Sequence, residues 1–233
     1  MNFADSLGVF MRLNGIFDDG TSFVTSTRDE GDPRGWSIEQ RSELVGAEAI
    51  LRLRQIHSNI VVSADEYGAL STAEADLVDG DAISFGTELR HLMQPTVLTA
   101  DCIPLALWSK KRRRFTIVHA GWKGLSSGVI EEAVSNLGDV HLQGIFGPFA
   151  RSCCYDFGQE HAVELSSLID VDMVATGRSG QITLDLYRGA LEILKRINVE
   201  VIGEEPPCTI CNSESYYSYR GGDASLRMGS FLI

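Results

Sequence analysis

The chain of 233 residues is 44% hydrophobic, 8% aromatic and 22% charged, the composition of an ordinary globular protein rather than a disordered, collagen-like or disulfide-stapled one. Its 20 basic and 32 acidic residues give a net charge of −12, which argues against nucleic acid or an anionic membrane as partner and leaves only local basic pockets for anions. Met1 to Asp5 lack the basic-then-apolar pattern of a secretory signal, no apolar run reaches about 18 residues, and five cysteines without an export signal point to reduced thiols in a cytoplasmic setting.

No repeat, low-complexity tract or linker divides the sequence, so residues 1–233 are expected to form one domain. Thr21 to Ser26 reads as a strand and Ile38 to Gly46 as a helix. Between them, Arg28 to Gly35 is polar, carries Gly and Pro, and is expected to be a flexible loop over a site. Leu51 to Arg54 alternates as a half-buried strand and runs into Gln55-Ile56-His57. Thr96 to Ala100 and Ile103 to Trp108 are β-type runs flanking Asp101-Cys102. Lys110 to Arg114 reads as a solvated hairpin turn, after which Phe115 to Val118 leads into His119.

Ala120 to Gly124 reads as a turn, with Ser126 or Ser127 capping a helix that carries Val129, Ile130, Ala133 and Leu137 inward. A strand at Ile145-Phe146 precedes Cys153-Cys154-Tyr155 and a helix from Gln159 to Ile169. Tyr187, Ala190, Leu191, Leu194 and Ile197 recur at helical spacing. Val199 to Ile202 and Met228 to Ile233 close the chain as strands. Strands in adjacent pairs, with helices gathered in the second half, point to an α+β fold.

Side chains that bind metals or attack carbon at neutral pH are few: His57, His91, His119, His141, His161 and the five cysteines. His57, Cys102 and His119 stand out because all three fall at strand ends beside turn residues, where pockets open. Two imidazoles and one thiolate suit zinc, and three protein ligands leave a fourth position for water, whose pKa falls to about 7 there. In a turn, Asp101 could orient an imidazole or exchange protons with that water. Cys208-Thr209-Ile210-Cys211 has the spacing of half a zinc knuckle but shows no partner pair, and adjacent Cys153 and Cys154 in an extended segment would face opposite ways. No structural metal site is therefore expected there. Dinucleotide, P-loop and Gly-x-Ser-x-Gly motifs are absent. Arg28, Arg41, Arg220 and Arg227 are the arginines placed to fork onto a phosphate.

Gln55-Ile56-His57-Ser58, Thr99 to Pro104, His119-Ala120-Gly121-Trp122-Lys123-Gly124, Gly147-Pro148 through Cys153-Cys154-Tyr155, and the closing Cys208-Thr209, Tyr217-Ser218-Tyr219-Arg220 and Arg227-Met228 together resemble one family. It is the polyphenol oxidase/laccase-like family, regarded as zinc-dependent purine nucleoside phosphorylases. The resemblance runs from about residue 20 to the end and implies a single α+β domain, with layered mixed β-sheets flanked by helices, similar to deamidating toxins that use a Cys-His pair. It places the zinc ligands on His57, Cys102 and His119. It implies phosphorolysis of adenosine, inosine, guanosine and methylthioadenosine, together with adenosine deamination.

Catalytic roles are expected for Asp101, Cys102 and His119, and substrate contacts for Arg28, Arg41, Gln55 and Lys123, with Arg41 leading for phosphate. The chain departs from the family pattern on the substrate side: no Asn-Leu segment is recognisable around Asp29 to Ser37, Gly221 replaces an Arg, and Leu226 replaces a Gly. Two other readings stand beside this one. Cys102 could act as a metal-free nucleophile with His119 as its base, or the chain could be a non-catalytic binding partner. Copper chemistry is discounted, since one Cys and few His cannot build several copper centres.

Overall fold

The structure, a computed structural model, describes residues 11–65, 77–91 and 93–233, without the side chains of Arg90 and His91. The reading of Met1 to Asp5 and the candidacy of the His91 side chain lie outside the described residues. In chain order the elements are β1 (Arg12–Ile16), β2 (Ser22–Thr25), α1 (Ile38–Val45), β3 (Ala49–Leu51), β4 (Val61–Ser63), β5 (Ala82–Gly86), β6 (Met93–Pro95), β7 (Val97–Thr99), β8 (Ile103–Ser109) and β9 (Arg114–Ala120). They continue as α2 (Trp122–Ser126), α3 (Val129–Leu137), β10 (Leu142–Phe146), α4 (Gln159–Ile169), β11 (Val174–Thr176), β12 (Ile182–Leu184), α5 (Leu186–Arg196), β13 (Val199–Val201) and β14 (Met228–Leu232).

Among the described residues the central sheet runs β13-β10-β8-β9-β5-β4 and mixes parallel edges with antiparallel centre pairs. A second sheet runs β1-β2-β14-β7 and is antiparallel throughout. The alternation of side chains along a strand builds two cores from the central sheet. Ile103, Leu105, Leu107, Val118 and Ala120 join α3, α4 and α5 on one face, through Ile130, Leu165 and Leu194 among others. Ala106, Trp108, Phe115 and Ile117 pack on the other face with Phe23, Val97 and Leu232 of the second sheet. Burial on both faces makes β8 a continuous apolar run. The result is an α+β fold with a helix layer, a central mixed sheet and a second sheet.

Local chemistry explains where the elements stop. Ser37 and Gln40 form a capping box at the start of α1, and Gly46 takes the left-handed conformation at its end (φ 70°). The Asp185 side chain caps α5 by accepting from the Arg188 N–H at 3.0 Å. Gly128, not Ser126 or Ser127, occupies the N-cap of α3, and the expected turn at 120–124 is instead occupied by the short helix α2. The strand expected over Leu51 to Arg54 is displaced upstream to Ala49–Leu51, because its partner β6 is reached only by a parallel pairing that periodicity does not reveal. Arg28 to Gly35 is fastened rather than loose: Asp32 caps a single 3-10 turn at Pro33–Gly35 and accepts from the backbone N–H groups of Arg34 and Arg227, each at 2.9 Å.

Candidate metal and nucleoside site

Register brings the sequence-predicted residues together. The start of β8 and the end of β9 are opposite each other, with Ile103 across from Ala120, and Ala82 at the start of β5 pairs with Val118. Cys102 and His119 therefore share one end of the central sheet. His57 reaches them from the segment before β4, in a left-handed conformation (φ 61°). One donor atom from each of His57, Cys102 and His119 lies within 4.8 Å of the others, so the group could hold a metal ion. Cys102 Sγ and His57 Nε2 are 3.9 Å apart, and the two imidazoles meet edge to face at 4.8 Å between centroids. Tetrahedral zinc would set such donors about 3.3–3.6 Å apart, from bonds of about 2.0–2.1 Å to nitrogen and 2.3 Å to sulfur. The present spacing needs only a small contraction.

The close approach depends on Gly121. A Cβ there would sit 2.8 Å from Cys102 Sγ and 3.0 Å from His57 Cδ2, inside any tolerable contact. His119 is buried, and its Nδ1 lies 2.8 Å from Asp81 Oδ1, which leaves Nε2 to face the group. Asp81, fully buried, also accepts from the backbone N–H of His57 at 3.0 Å and of Ser58 at 2.6 Å, and from Ser58 Oγ at 2.8 Å. It thus fixes two of the three donors. Sequence reasoning missed Asp81; its only sequence signal is a polar residue in Gly80-Asp81-Ala82 at the head of a buried strand.

Asp101 lines the cavity as expected but does not orient an imidazole. Its carboxylate accepts from Thr209 Oγ1 at 2.6 Å and from the Arg220 backbone N–H at 2.7 Å, and its carbonyl accepts from Ala150 N–H at 3.0 Å. With φ at 97°, it is held in a strained conformation by these bonds. It ties loops together beside Cys102, while the imidazole is oriented by Asp81.

Burial disfavours ionisation of both Cys102 and His119, yet their attraction outweighs it. The charge and hydrogen bond of His119, aided by His57, lower the Cys102 thiol to about 6. The Cys102 thiolate and Asp81 raise His119 to about 9. Without a metal, the two form an ion pair at neutral pH.

The group opens into a cavity of about 490 Å³. Arg34, Arg52, Arg54, Arg220 and Arg227 stand in its wall together with Asp101. Arg34 pairs with Asp32, Arg54 pairs with Asp79 at 2.9 Å, and Arg220 donates to the Asp156 carbonyl at 2.8 Å and covers the Tyr155 ring. Basic side chains thus outnumber acidic ones locally in a chain of net charge −12. Trp122, Tyr155 and Tyr219 add aromatic surface. Tyr155 is kept protonated, its phenol pushed up to about 12 chiefly by burial and then by Cys102. Gln55 is in the wall, but its amide is committed to the Leu98 backbone through two bonds of 2.8 Å.

Three expected substrate residues do not line the cavity. Arg28 pairs with Asp223, donates to Ser213 and Tyr216 carbonyls and covers the Tyr217 ring. Arg41 lies on α1, with Nη1 3.4 Å from the Glu48 carbonyl. Lys123 is exposed on α2, its ammonium 5.3 Å from the Trp122 ring centroid. Arg220 and Arg227 do line it; Arg34, Arg52 and Arg54 were not singled out, because polar flanks alone do not distinguish them. A second depression of about 720 Å³ between β10, β13 and α5 contains no comparable cluster of reactive groups.

A second cluster corrects the reading of the other cysteines. Residues 151–154 form a turn instead of an extended run, so Cys153 and Cys154 both face Cys208 and Cys211, supplying the missing partner pair. Burial and the neighbouring sulfurs push the thiols of Cys153 and Cys154 up, the latter to about 11. Burial opposes the change at Cys211, but hydrogen bonds with Cys154 and Cys153 hold it below the usual thiol value.

Residues 8–233 match the family described as multi-copper polyphenol oxidoreductase laccase. A purine nucleoside phosphorylase of Clostridium acetobutylicum is 29% identical over 226 residues, covering 93% of this chain and 88% of that protein. A purine nucleoside phosphorylase of Aquifex aeolicus is 30% identical over 194 residues, covering 82% and 85%. The crystal structure of a Neisseria meningitidis protein superposes with a TM-score of 0.74 at 24% identity, over 95% of this chain and 98% of that one, a likeness of fold.

Proposed function

The chain belongs to the multi-copper polyphenol oxidoreductase laccase family, and from that membership we propose that it is a purine nucleoside phosphorylase holding zinc on His57, Cys102 and His119. The observation that carries this reading is the position of a metal-capable group inside an arginine-walled cavity. Its relatives in Clostridium acetobutylicum and Aquifex aeolicus bear the same activity in their names. The donor set favours zinc over a multi-copper centre, because one thiolate and two imidazoles make a single site. When bound, zinc supplies Lewis acidity to the reacting groups.

The chain's own residues supply the rest of the proposed mechanism. Wall arginines draw inorganic phosphate and hold it against the ribose. A phosphate oxygen bonds to the anomeric carbon as the bond to the purine nitrogen breaks, and the departing purine takes up a proton. Tyr155, protonated at neutral pH and in the cavity wall, is a candidate donor for it. Trp122 and Tyr219 offer faces for the purine ring. Asp81 holds His119 in the tautomer that presents Nε2. The motif resemblance supports adenosine, inosine, guanosine and methylthioadenosine as substrates and adenosine deamination as a second activity, and the five free thiols support a cytoplasmic setting.

The lowered Cys102 thiol and raised His119 favour one competing reading, a metal-free Cys-His hydrolase. Elemental analysis with chelation and zinc readdition separates the two. The phosphorylase reading expects one zinc bound by the His57 group, and activity lost on chelation and restored by zinc. Substrate hydrolysis that proceeds at full rate in the zinc-free protein without phosphate would establish the hydrolase.

A further inference from the structure

Four thiols from two distant loops meet away from the nucleoside cavity. Cys153 and Cys154 lie in the turn after β10, and Cys208 and Cys211 lie in the segment between β13 and β14. Their sulfurs all lie within 4.8 Å of one another, with Cys153 to Cys211 at 3.4 Å and Cys154 to Cys211 at 3.1 Å. All are free, and neither of these contacts approaches the disulfide length of about 2.0 Å. Zinc bound to four thiolates at about 2.3 Å sets sulfur-sulfur separations of about 3.8 Å. The two contacts at Cys211 are somewhat shorter than that value, and the whole set lies within 4.8 Å, so a small outward shift of Cys211 would seat the ion.

The surrounding chain needs such a fastening. Residues 202–227 contain no helix or strand, a length well beyond the about 12–15 residues that unstructured loops usually reach in compact domains. The segment is pinned to the 149–154 loop where Thr209 N–H donates to the Phe149 carbonyl at 3.0 Å and Arg151 N–H to Cys208 Sγ at 3.4 Å. Both loops converge on Asp101, and the same stretches carry Tyr155, Tyr219, Arg220 and Arg227 into the cavity. Nearby Arg178, whose N–H donates to the Cys153 carbonyl at 3.0 Å, supplies a compensating positive charge.

We propose that Cys153, Cys154, Cys208 and Cys211 form a closed structural zinc site that clamps the 149–154 loop to the segment between β13 and β14, and so fixes one wall of the nucleoside cavity. With all four positions filled by thiolates, this site has no open coordination position and takes no part in the chemistry. Binding releases the thiol protons as the ligands become thiolates.

The test uses the full-length H57A/C102A double variant, which removes two donors of the cavity group and leaves all four cysteines of the cluster. Purified with zinc(II) under reducing conditions, it should retain one zinc per chain, with an X-ray absorption shell of four sulfurs at about 2.3 Å. Adding C154S and C211S should abolish that zinc. A zinc-free double variant, a shell containing nitrogen or oxygen, or a disulfide joining Cys211 to Cys153 or Cys154 in place of the metal would overturn the proposal. If the quadruple variant fails to fold, the zinc content and sulfur shell of the double variant decide alone.

Discussion

Asp81 grips His119 twice: its Oδ1 lies 2.8 Å from the imidazole Nδ1, and its backbone carbonyl accepts the His119 N–H at 2.7 Å. The same carboxylate accepts the backbone N–H groups of His57 and Ser58, so one buried acceptor aligns two metal donors from separate parts of the chain. In D81N, an amide N–H must face groups that themselves donate. Zinc affinity at the cavity group should fall about 10–100-fold, the usual cost of losing a partner that orients a metal-bound histidine. Stability should drop by about 1–3 kcal/mol from the disturbed buried bonds. Competition titration against a zinc indicator reads the first effect; wild-type affinity in D81N would remove Asp81 from the account.

Gly121 should be intolerant of a single methyl group. G121A places a Cβ against Cys102 Sγ and His57 Cδ2 while its backbone conformation, φ −75°, is open to any residue. The expected result is a folded protein, judged by circular dichroism, whose zinc affinity at this group falls at least about tenfold through displaced ligands. Zinc binding equal to wild type would show that the close approach is not needed.

Arg220 and Arg41 should behave oppositely. Arg220 is in the cavity wall, whereas Arg41 is outside it on α1. Loss of a charge-assisted contact to phosphate should raise the KM for phosphate about 10–100-fold in R220A. R41A should leave that KM unchanged. Steady-state phosphorolysis at varied phosphate checks both, and the reverse pattern would return Arg41 to the site.

Asp32 links acid sensitivity to the cavity wall. Burial works against its charge, but hydrogen bonds from the Arg34 side chain and backbone and from the Arg227 backbone hold its carboxyl below the ordinary 3.8. A carboxyl depressed in the folded state adds stability above its unfolded pKa, and this is lost as pH falls through the folded value. The thermal midpoint of wild type should therefore exceed that of D32N between about pH 5 and 7, with the gap closing toward about pH 3. A gap that persists or widens in acid would contradict this assignment.

What the sequence revealed depended on range. The helix over Gln159 to Ile169 and the hairpin joining Cys102 to His119 rest on local periodicity and a short turn, and both stand as read. The metal-capable trio was accessible because its residue types are rare and sit beside turn residues; Cys102 and His119 do flank strand ends, whereas His57 lies in the bend between β3 and β4. Asp81 was not, because its value comes from pairing β5 with β9 across 38 residues. The four-cysteine cluster was hidden for a similar reason: it needs contacts across 57 residues and a turn where an extended segment was assumed. The cavity arginines come from three separate stretches of chain, and only the fold places them together.

The most direct measurement is the formation of ribose 1-phosphate from inosine by the zinc-loaded protein, followed as inorganic phosphate is varied and repeated with H57A. The account predicts a rate that rises to saturation with phosphate, one ribose 1-phosphate for each free purine base, and at least about a hundredfold loss in H57A. Base release that is independent of phosphate and yields free ribose, or an H57A variant as active as wild type, would contradict it.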